Sequence, residues 1–130
     1  MNKVLKPPSI VAYRPFSLLS HYSASKWAVR GLTQAFALEV ATHGITCNAY
    51  APGIVGTAMW DEMDEAMGRM SGAAKGETIK KYSEKVLMGR VSVPEDVAET
   101  VSYLSGRGSD YMTGQTCKSS GNPSVAYYAH

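Results

Sequence analysis

Tyr22 and Lys26 stand four places apart in the stretch "HYSASKWAVRG", residues 21–31. On a helix that spacing puts both side chains on one face, one turn apart. A phenol and an ammonium so placed can move a proton. A free tyrosine titrates near pH 10, and moving that value by one pH unit takes about 1.4 kcal/mol. Bringing a phenol close to neutrality takes roughly 4 kcal/mol, and a positive charge at ~4 Å supplies about that much at an effective dielectric of ~20. Such a tyrosine acts as general acid in one direction and general base in the other. The structural alternative is a packed tyrosine beside a solvated lysine. Eight tyrosines and eight lysines in 130 residues give about half a match by chance, so the pair needs neighbours to carry weight.

The elements that would position the pair are legible. From Ser20 to about Val40, Ala24, Ala28, Leu32, Ala35 and Leu38 recur at three and four without a proline, and Gly44 is placed to end the helix. "ITCNAYAPG" then alternates Ile45, Cys47, Ala49 and Ala51 with Thr46, Asn48 and Tyr50, and stops at Pro-Gly. A long helix feeding a buried strand predicts a parallel sheet built by crossover. Before the helix, Val4 and Leu5 make a poor strand, because Pro7 and Pro8 cannot donate to a sheet, and "YRPFSLLS" reads as loop. After the strand, "AMWDEMDEAMGRM" is a short helix with a stripe of Met59, Met63, Met67 and Met70, a packing face or a mobile lid. "TIKKYSEKVLMGR" is a second short helix. "SVPEDVAETVSYLSG" is a third, with capping-box spacing from Ser92 to Glu95, Pro94 in its first turn, an apolar face of Val97, Val101 and Leu104, and Gly106 ending it. "CKSSGNPS" is a weak strand at best.

Bulk properties exclude several classes. A chain of 130 residues is one domain or part of one. Apolar content of 45% with 18% charged residues is globular rather than disordered. The net charge is +2, and the basic residues are scattered, so no nucleic-acid partner is expected. No segment approaches the ~18 apolar residues of a membrane helix, and "MNKVLKPPS" has no apolar run for a signal peptide. The expected setting is cytoplasmic and soluble, away from membranes. Cys47 and Cys117 read as free thiols of a reducing compartment. His21 lies about 100° round the helix from Tyr22 and reads as a surface residue. His43 and His130 have no ligand spacing, so no metal site is expected. Asn122 precedes a proline and is no glycosylation acceptor.

Three features accompany the pair. Ser9 precedes Tyr22 by 13 residues, a strand ending in "NAYAPGIVGT" follows the helix, and a capped helix leads to "DYMTGQT". In this order and spacing, residues 9–116 resemble the carboxy-terminal half of the short-chain dehydrogenase/reductase family. "SASKWAVRGLTQ", "GITCNAYAPGIVGTAMW" and "GRVSVPEDVAETVSYL" look most like its acetoin (diacetyl) reductases and butanediol dehydrogenases. The resemblance implies an α/β fold, a partial Rossmann-type doubly wound parallel sheet with the carboxy-terminal half only. It implies an oxidoreductase that passes a hydride between NAD or NADP and a small ketone, diketone or secondary alcohol. In that scheme Tyr22 handles the proton, Lys26 also bonds the nicotinamide ribose, and Ser9 holds the substrate oxygen where negative charge develops. "PGIVGT" becomes the cofactor-facing turn, beyond the carboxyl end of a parallel strand. There Pro52 and Gly53 turn the backbone, main-chain groups of Val55 bind the carboxamide, and Thr57 bonds it or a phosphate oxygen. Met59 and Trp60 wall the substrate pocket.

Residues 1–8 and 117–130 depart from the family pattern, as a truncated or rearranged product would. No G-x-G-x-x-G cluster follows a strand; Gly68, Gly72 and Gly76 are evenly spaced, but no strand precedes them. The family's upstream asparagine and the residue that selects NAD or NADP have no counterpart. Asn48 lies within the strand, either functional or a polar residue satisfied locally. An alternative to catalysis is therefore a truncated, non-catalytic remnant acting by protein interaction, or a fragment complemented by a chain bearing the other half. A single partial domain over 1–130 would leave an open sheet edge and a naked helix face. It is expected to be marginally stable, or to form a homo-oligomer through the helix containing Tyr22.

Overall fold

The computed structural model describes residues 1–121; the tail 122–130, with Asn122 and His130, lies outside the described residues. Three strands, β1 (Asn2–Lys6), β2 (Ile45–Pro52) and β3 (Thr116–Ser119), form one parallel sheet in the order β1-β2-β3. Asn2 lies opposite Ile45 and Lys6 opposite Ala49; Ala49 lies opposite Thr116 and Pro52 opposite Ser119. Four helices complete the α/β chain: α1 (Ser20–Val40), α2 (Ala58–Ser71), α3 (Glu77–Ser83) and α4 (Pro94–Ser105). None is long and apolar enough to cross a membrane, among the described residues. The described residues divide into two compact units, Met1–Pro52 with Glu95–Ser119, and Gly53–Pro94 with Ser120 and Gly121.

In the first unit, β1 forms despite its two prolines. They follow Lys6 and end the strand rather than interrupting it, which corrects the expectation of a poor strand. α1 spans the residues its periodicity predicts, and its inner face is not the stripe of that repeat. Ser23, Thr33, Ala37 and Val40 are buried, whereas Leu32 and Leu38 are 54% and 81% exposed. The stripe from Ala24 to Leu38 therefore points outward, and a second, smaller-residue face meets the sheet. Ala37 and Val40 pack on Cys47, with Val4, Phe36 and Ile45 around them. Residues 46–49 of β2 are all buried, as in a parallel strand covered on both sides. Asn48, 1% exposed, donates to the Met112 carbonyl at 2.7 Å and accepts from the Gln115 amide at 3.1 Å. Both ends of its carboxamide are thereby satisfied by the turn before β3, so Asn48 is the locally satisfied residue of the two readings.

β3 is real, although its sequence is poor in apolar residues. Lys118 lays its ammonium 4.6 Å from the ring centroid of Tyr13, and Arg30 lies 4.1 Å from the same centroid. The Tyr13 hydroxyl donates to the Thr116 carbonyl, and Arg30 donates to the Ala12 carbonyl at 3.0 Å. Cation–aromatic contact thus supplies at this strand what apolar side chains usually supply. Burial raises the Tyr13 phenol above its ordinary value, outweighing the lowering by Arg30. Cys47 and Cys117 are free thiols, both raised by burial.

In the second unit the Met stripe is only partly covered: Met63 and Met67 are half-buried, and Met59 and Met70 are exposed. α3 stops at Ser83, and turns closed by Val86 and Gly89 amides carry the chain onward. Gly68, Gly72 and Gly76 have structural uses: Ala73 approaches Gly68 too closely for a side chain, Gly72 ends α2 at φ 76°, and Gly76 precedes α3 at φ 87°. Ahead of α4, the Ser92 hydroxyl donates to the Val93 carbonyl at 3.2 Å.

Lys3 ties β1 to the turn after α4. Its ammonium donates to the Gly106 carbonyl at 2.8 Å and the Ser109 hydroxyl at 2.7 Å, and pairs with Asp110 at 2.8 Å. The hydrogen bond from Lys3 is the largest cause holding the Asp110 carboxyl below its ordinary value, against opposing burial. A lowered folded value means this stabilisation is complete above about pH 4 and is lost as pH falls through the folded value. Lys3→Met is therefore expected to destabilise the chain at pH 7 and to flatten its acid unfolding curve, read by circular dichroism. Leu104→Ala, emptying a fully buried site, is expected to cost about 2–5 kcal/mol in urea unfolding.

Candidate active site

α1 is built so that one turn presents Tyr22 and Lys26 together. The Lys26 ammonium lies 5.4 Å from the Tyr22 ring centroid and donates to the Pro7 carbonyl at 3.1 Å. The cation therefore sits over the π-face, tethered to the segment that leaves β1. The Tyr22 hydroxyl makes no hydrogen bond among the described residues, while its main-chain carbonyl accepts from Ser25 at 2.7 Å. Just upstream, Leu18 holds φ 66°, a left-handed conformation costly for leucine. Ser9 caps the short 3-10 turn Ile10–Ala12, its oxygen accepting from the Val11 amide at 3.3 Å. That use engages a lone pair and leaves the O–H available as a donor.

Pro52 closes β2 opposite Ser119. Beyond it, in the second unit, the turn is held by one bridge. Ser92 donates to the Ile54 carbonyl and accepts from the Gly56 amide, both at 2.9 Å, which pairs Val55 with Ser92 in parallel. In this pattern the amide and carbonyl of Val55 point to the opposite side. They have no partner among the described residues. A Cβ on Gly53 would come within 2.8 Å of the Ser120 backbone, so the position has room only for glycine. Thr57 occupies the N-cap of α2 without a side-chain capping bond. Its hydroxyl is a cap residue's hydroxyl not used as a cap.

Met59 and Trp60 stand on the first turn of α2. Met59 is exposed; Trp60 is half-buried, its ring 6.3 Å from that of Tyr82 on α3 and tilted by 54°. One turn further along α2, Asp64 is 4% exposed. Its carboxylate accepts from the amides of Gly76, Thr78 (3.1 Å) and Ile79 (3.2 Å). The Gly76 amide is the largest cause holding Asp64 below the ordinary carboxyl value, and burial opposes it.

Comparison with known proteins decides what these parts belong to. A family model described as enoyl-(acyl carrier protein) reductase matches residues 4–121. L-2,3-butanediol dehydrogenase of Corynebacterium glutamicum is 52% identical over 114 residues, covering 88% of this chain and 44% of that protein. Diacetyl reductase, (S)-acetoin forming, of Staphylococcus epidermidis is 40% identical over 121 residues, covering 92% of this chain and 47% of that protein. The chain belongs to the short-chain dehydrogenase/reductase family. A solved actinorhodin polyketide ketoreductase with NADPH superposes at TM-score 0.85 with 34% identity, covering 92% of this chain and 46% of that one. The three-stranded sheet is thus a partial Rossmann-type sheet, and the chain spans under half the length of these relatives. The comparisons lend no support to a non-catalytic remnant.

Within this short-chain dehydrogenase/reductase chain, Ser9, Tyr22, Lys26 and Pro52 lie in the first unit, and Gly53, Val55, Thr57, Met59 and Trp60 in the second. Tyr22 and Lys26 are brought together as the spacing demands. The family's nicotinamide cofactor has a fitting donor set in the unpaired main-chain groups of Val55 and the uncapping hydroxyl of Thr57. No cluster of metal-ligating side chains exists among the described residues. Sequence reasoning missed three residues that hold these elements. Ser92 fixes the Val55 turn, Tyr82 backs Trp60, and Asp64 joins the two helices. Because Thr57 caps nothing, Thr57→Ala is expected to leave stability within about 0.5 kcal/mol, measured by urea titration, rather than costing a cap.

Proposed function

We propose that this chain carries the proton-transfer and substrate-binding apparatus of an oxidoreductase acting on a small ketone, diketone or secondary alcohol, of acetoin–diacetyl type, with NAD or NADP. The observation that carries the proposal is the Lys26 ammonium held over the ring of a Tyr22 whose hydroxyl is unengaged. The names of the relatives, a butanediol dehydrogenase and a diacetyl reductase, support the substrate class.

When bound, the nicotinamide would accept or supply the hydride. The residues of the chain do the rest. Ser9, its oxygen already accepting from Val11, donates its hydroxyl hydrogen to the substrate oxygen. Tyr22 gives its proton to that oxygen in reduction and takes it back in oxidation. Lys26 places positive charge beside the phenolic ring, where negative charge is left when the proton departs, and would bond the ribose of the bound cofactor. Val55 offers an amide and a carbonyl, the complementary pair that a carboxamide requires, and Thr57 adds a hydroxyl. Pro52 and Gly53 hold the turn that presents them. Met59 and Trp60 give the substrate an apolar wall. The two free thiols support a cytoplasmic setting. The outward stripe of Leu32 and Leu38 supports association with another chain, a second copy first among them.

Tyr22→Phe removes only the proton carrier. Turnover of diacetyl, followed by nicotinamide absorbance, is expected to fall by at least about 10²-fold. Cofactor affinity from nicotinamide fluorescence is expected to stay unchanged. Turnover surviving in the variant would remove Tyr22 from the mechanism. No saturable fluorescence change with the wild-type chain would remove independent cofactor binding.

A further inference from the structure

Antiparallel pairing of α2 and α3 places two contacts in one register. The Asp64 carboxylate meets the Thr78 and Ile79 amides at the start of α3. Four residues back along α2 and four on from Thr78 along α3, Trp60 meets Tyr82. Residues four apart on a helix share a face, so the carboxylate clamp and the aromatic pair are neighbours along one seam. The clamp is the stronger tie. It is a buried, charge-assisted set of three hydrogen bonds, each stronger than a neutral one. α3 has seven residues and no side-chain cap of its own, so an isolated helix of this length would not persist. The ion pair at this end, Lys75 with Glu65 at 3.5 Å, is exposed and contributes little.

We infer that Asp64 is a positioning residue for substrate specificity: by clamping the start of α3 it holds Tyr82 against Trp60, and so fixes the indole that limits the size of the substrate. The inference rests on the pocket role proposed above for Trp60. It concerns α2 and α3 alone, and Asp64 touches neither substrate nor cofactor in it. Small substrates press on the wall only where the indole is fixed. A loosened indole raises KM and relaxes discrimination against bulkier diketones, while the proton transfer at Tyr22 keeps its rate.

The test uses Asp64→Asn, which keeps the shape and one acceptor, Tyr82→Leu, which removes the ring and leaves the clamp, and their double variant. In a Trp27→Phe background Trp60 is the sole indole, since the chain has two tryptophans. Each single variant is expected to shift Trp60 emission to longer wavelength and to raise its quenching by acrylamide. Each is expected to raise KM for diacetyl about tenfold with kcat within about twofold, and to narrow the preference for diacetyl over a bulkier diketone. The double variant is expected to match the single ones rather than to add to them, because the carboxylate acts through the ring. Additive effects, or Trp60 emission unchanged in Asp64→Asn, would overturn the inference. Altered emission with unchanged KM would overturn the specificity role and take the pocket assignment of Trp60 with it. A wild-type chain without turnover would sink the proposed function, and the emission cycle would still decide whether Asp64 positions Trp60 through Tyr82.

Discussion

Parallel pairing of β1 with β2 is the constraint from which the first unit follows. Parallel strands cannot be joined by a hairpin; the chain must travel back the length of the sheet before pairing again. α1 makes that return, and the prolines after Lys6 force the chain out of the sheet before it begins. The helix then has to be fixed to the strand it left. Lys26 does this through the Pro7 carbonyl, and Arg30 through the Ala12 carbonyl. The residue proposed to charge the site is thus also a strut of the crossover. Tyr22 inherits its place from both, one turn from Lys26 and two from Arg30.

The second unit solves a different problem. The carboxamide recognition proposed for Val55 needs an amide and a carbonyl side by side, and main chain provides such a pair only where it is not consumed by secondary structure. A single bridge to Ser92 holds Val55 in strand-like geometry while using only its neighbours' polar groups. A longer ladder would have left less of the edge open. The crowding of Gly53 by Ser120 keeps the turn in one conformation. Rigidity and availability come from the same few atoms.

Much of this is legible in the residues. The 3.6-residue period finds α1 with its bounds, because a 21-residue helix averages over local exceptions. Alternation and Pro-Gly find β2. The Tyr22–Lys26 pair stands out because helical neighbours are fixed by local geometry alone. The failures have a common origin in tertiary contact. Periodicity finds α1 without saying which face turns inward: the apolar stripe stays exposed, and Thr33, which satisfies its hydroxyl on the Val29 carbonyl, is buried instead. β1 and β3 look weak in sequence because neighbours complete them: Lys3 through the turn after α4, and Lys118 through Tyr13. Asp64 is hidden for the same reason. A carboxylate reads as surface until the amides it meets are known.

Tyr13 illustrates what such completion entails. With Arg30 and Lys118 both laid over one ring, and that ring's hydroxyl committed to Thr116, three positions distant in the chain form a single unit of inheritance. A hydrophobic replacement at 118 would suit most parallel strands and here would strip a cation from the ring. Loss of the ring would leave two like charges without the π-system they share. Change at any of the three therefore removes a contact the others share, and the polar composition of β3 is matched by a tyrosine near the other end of the chain.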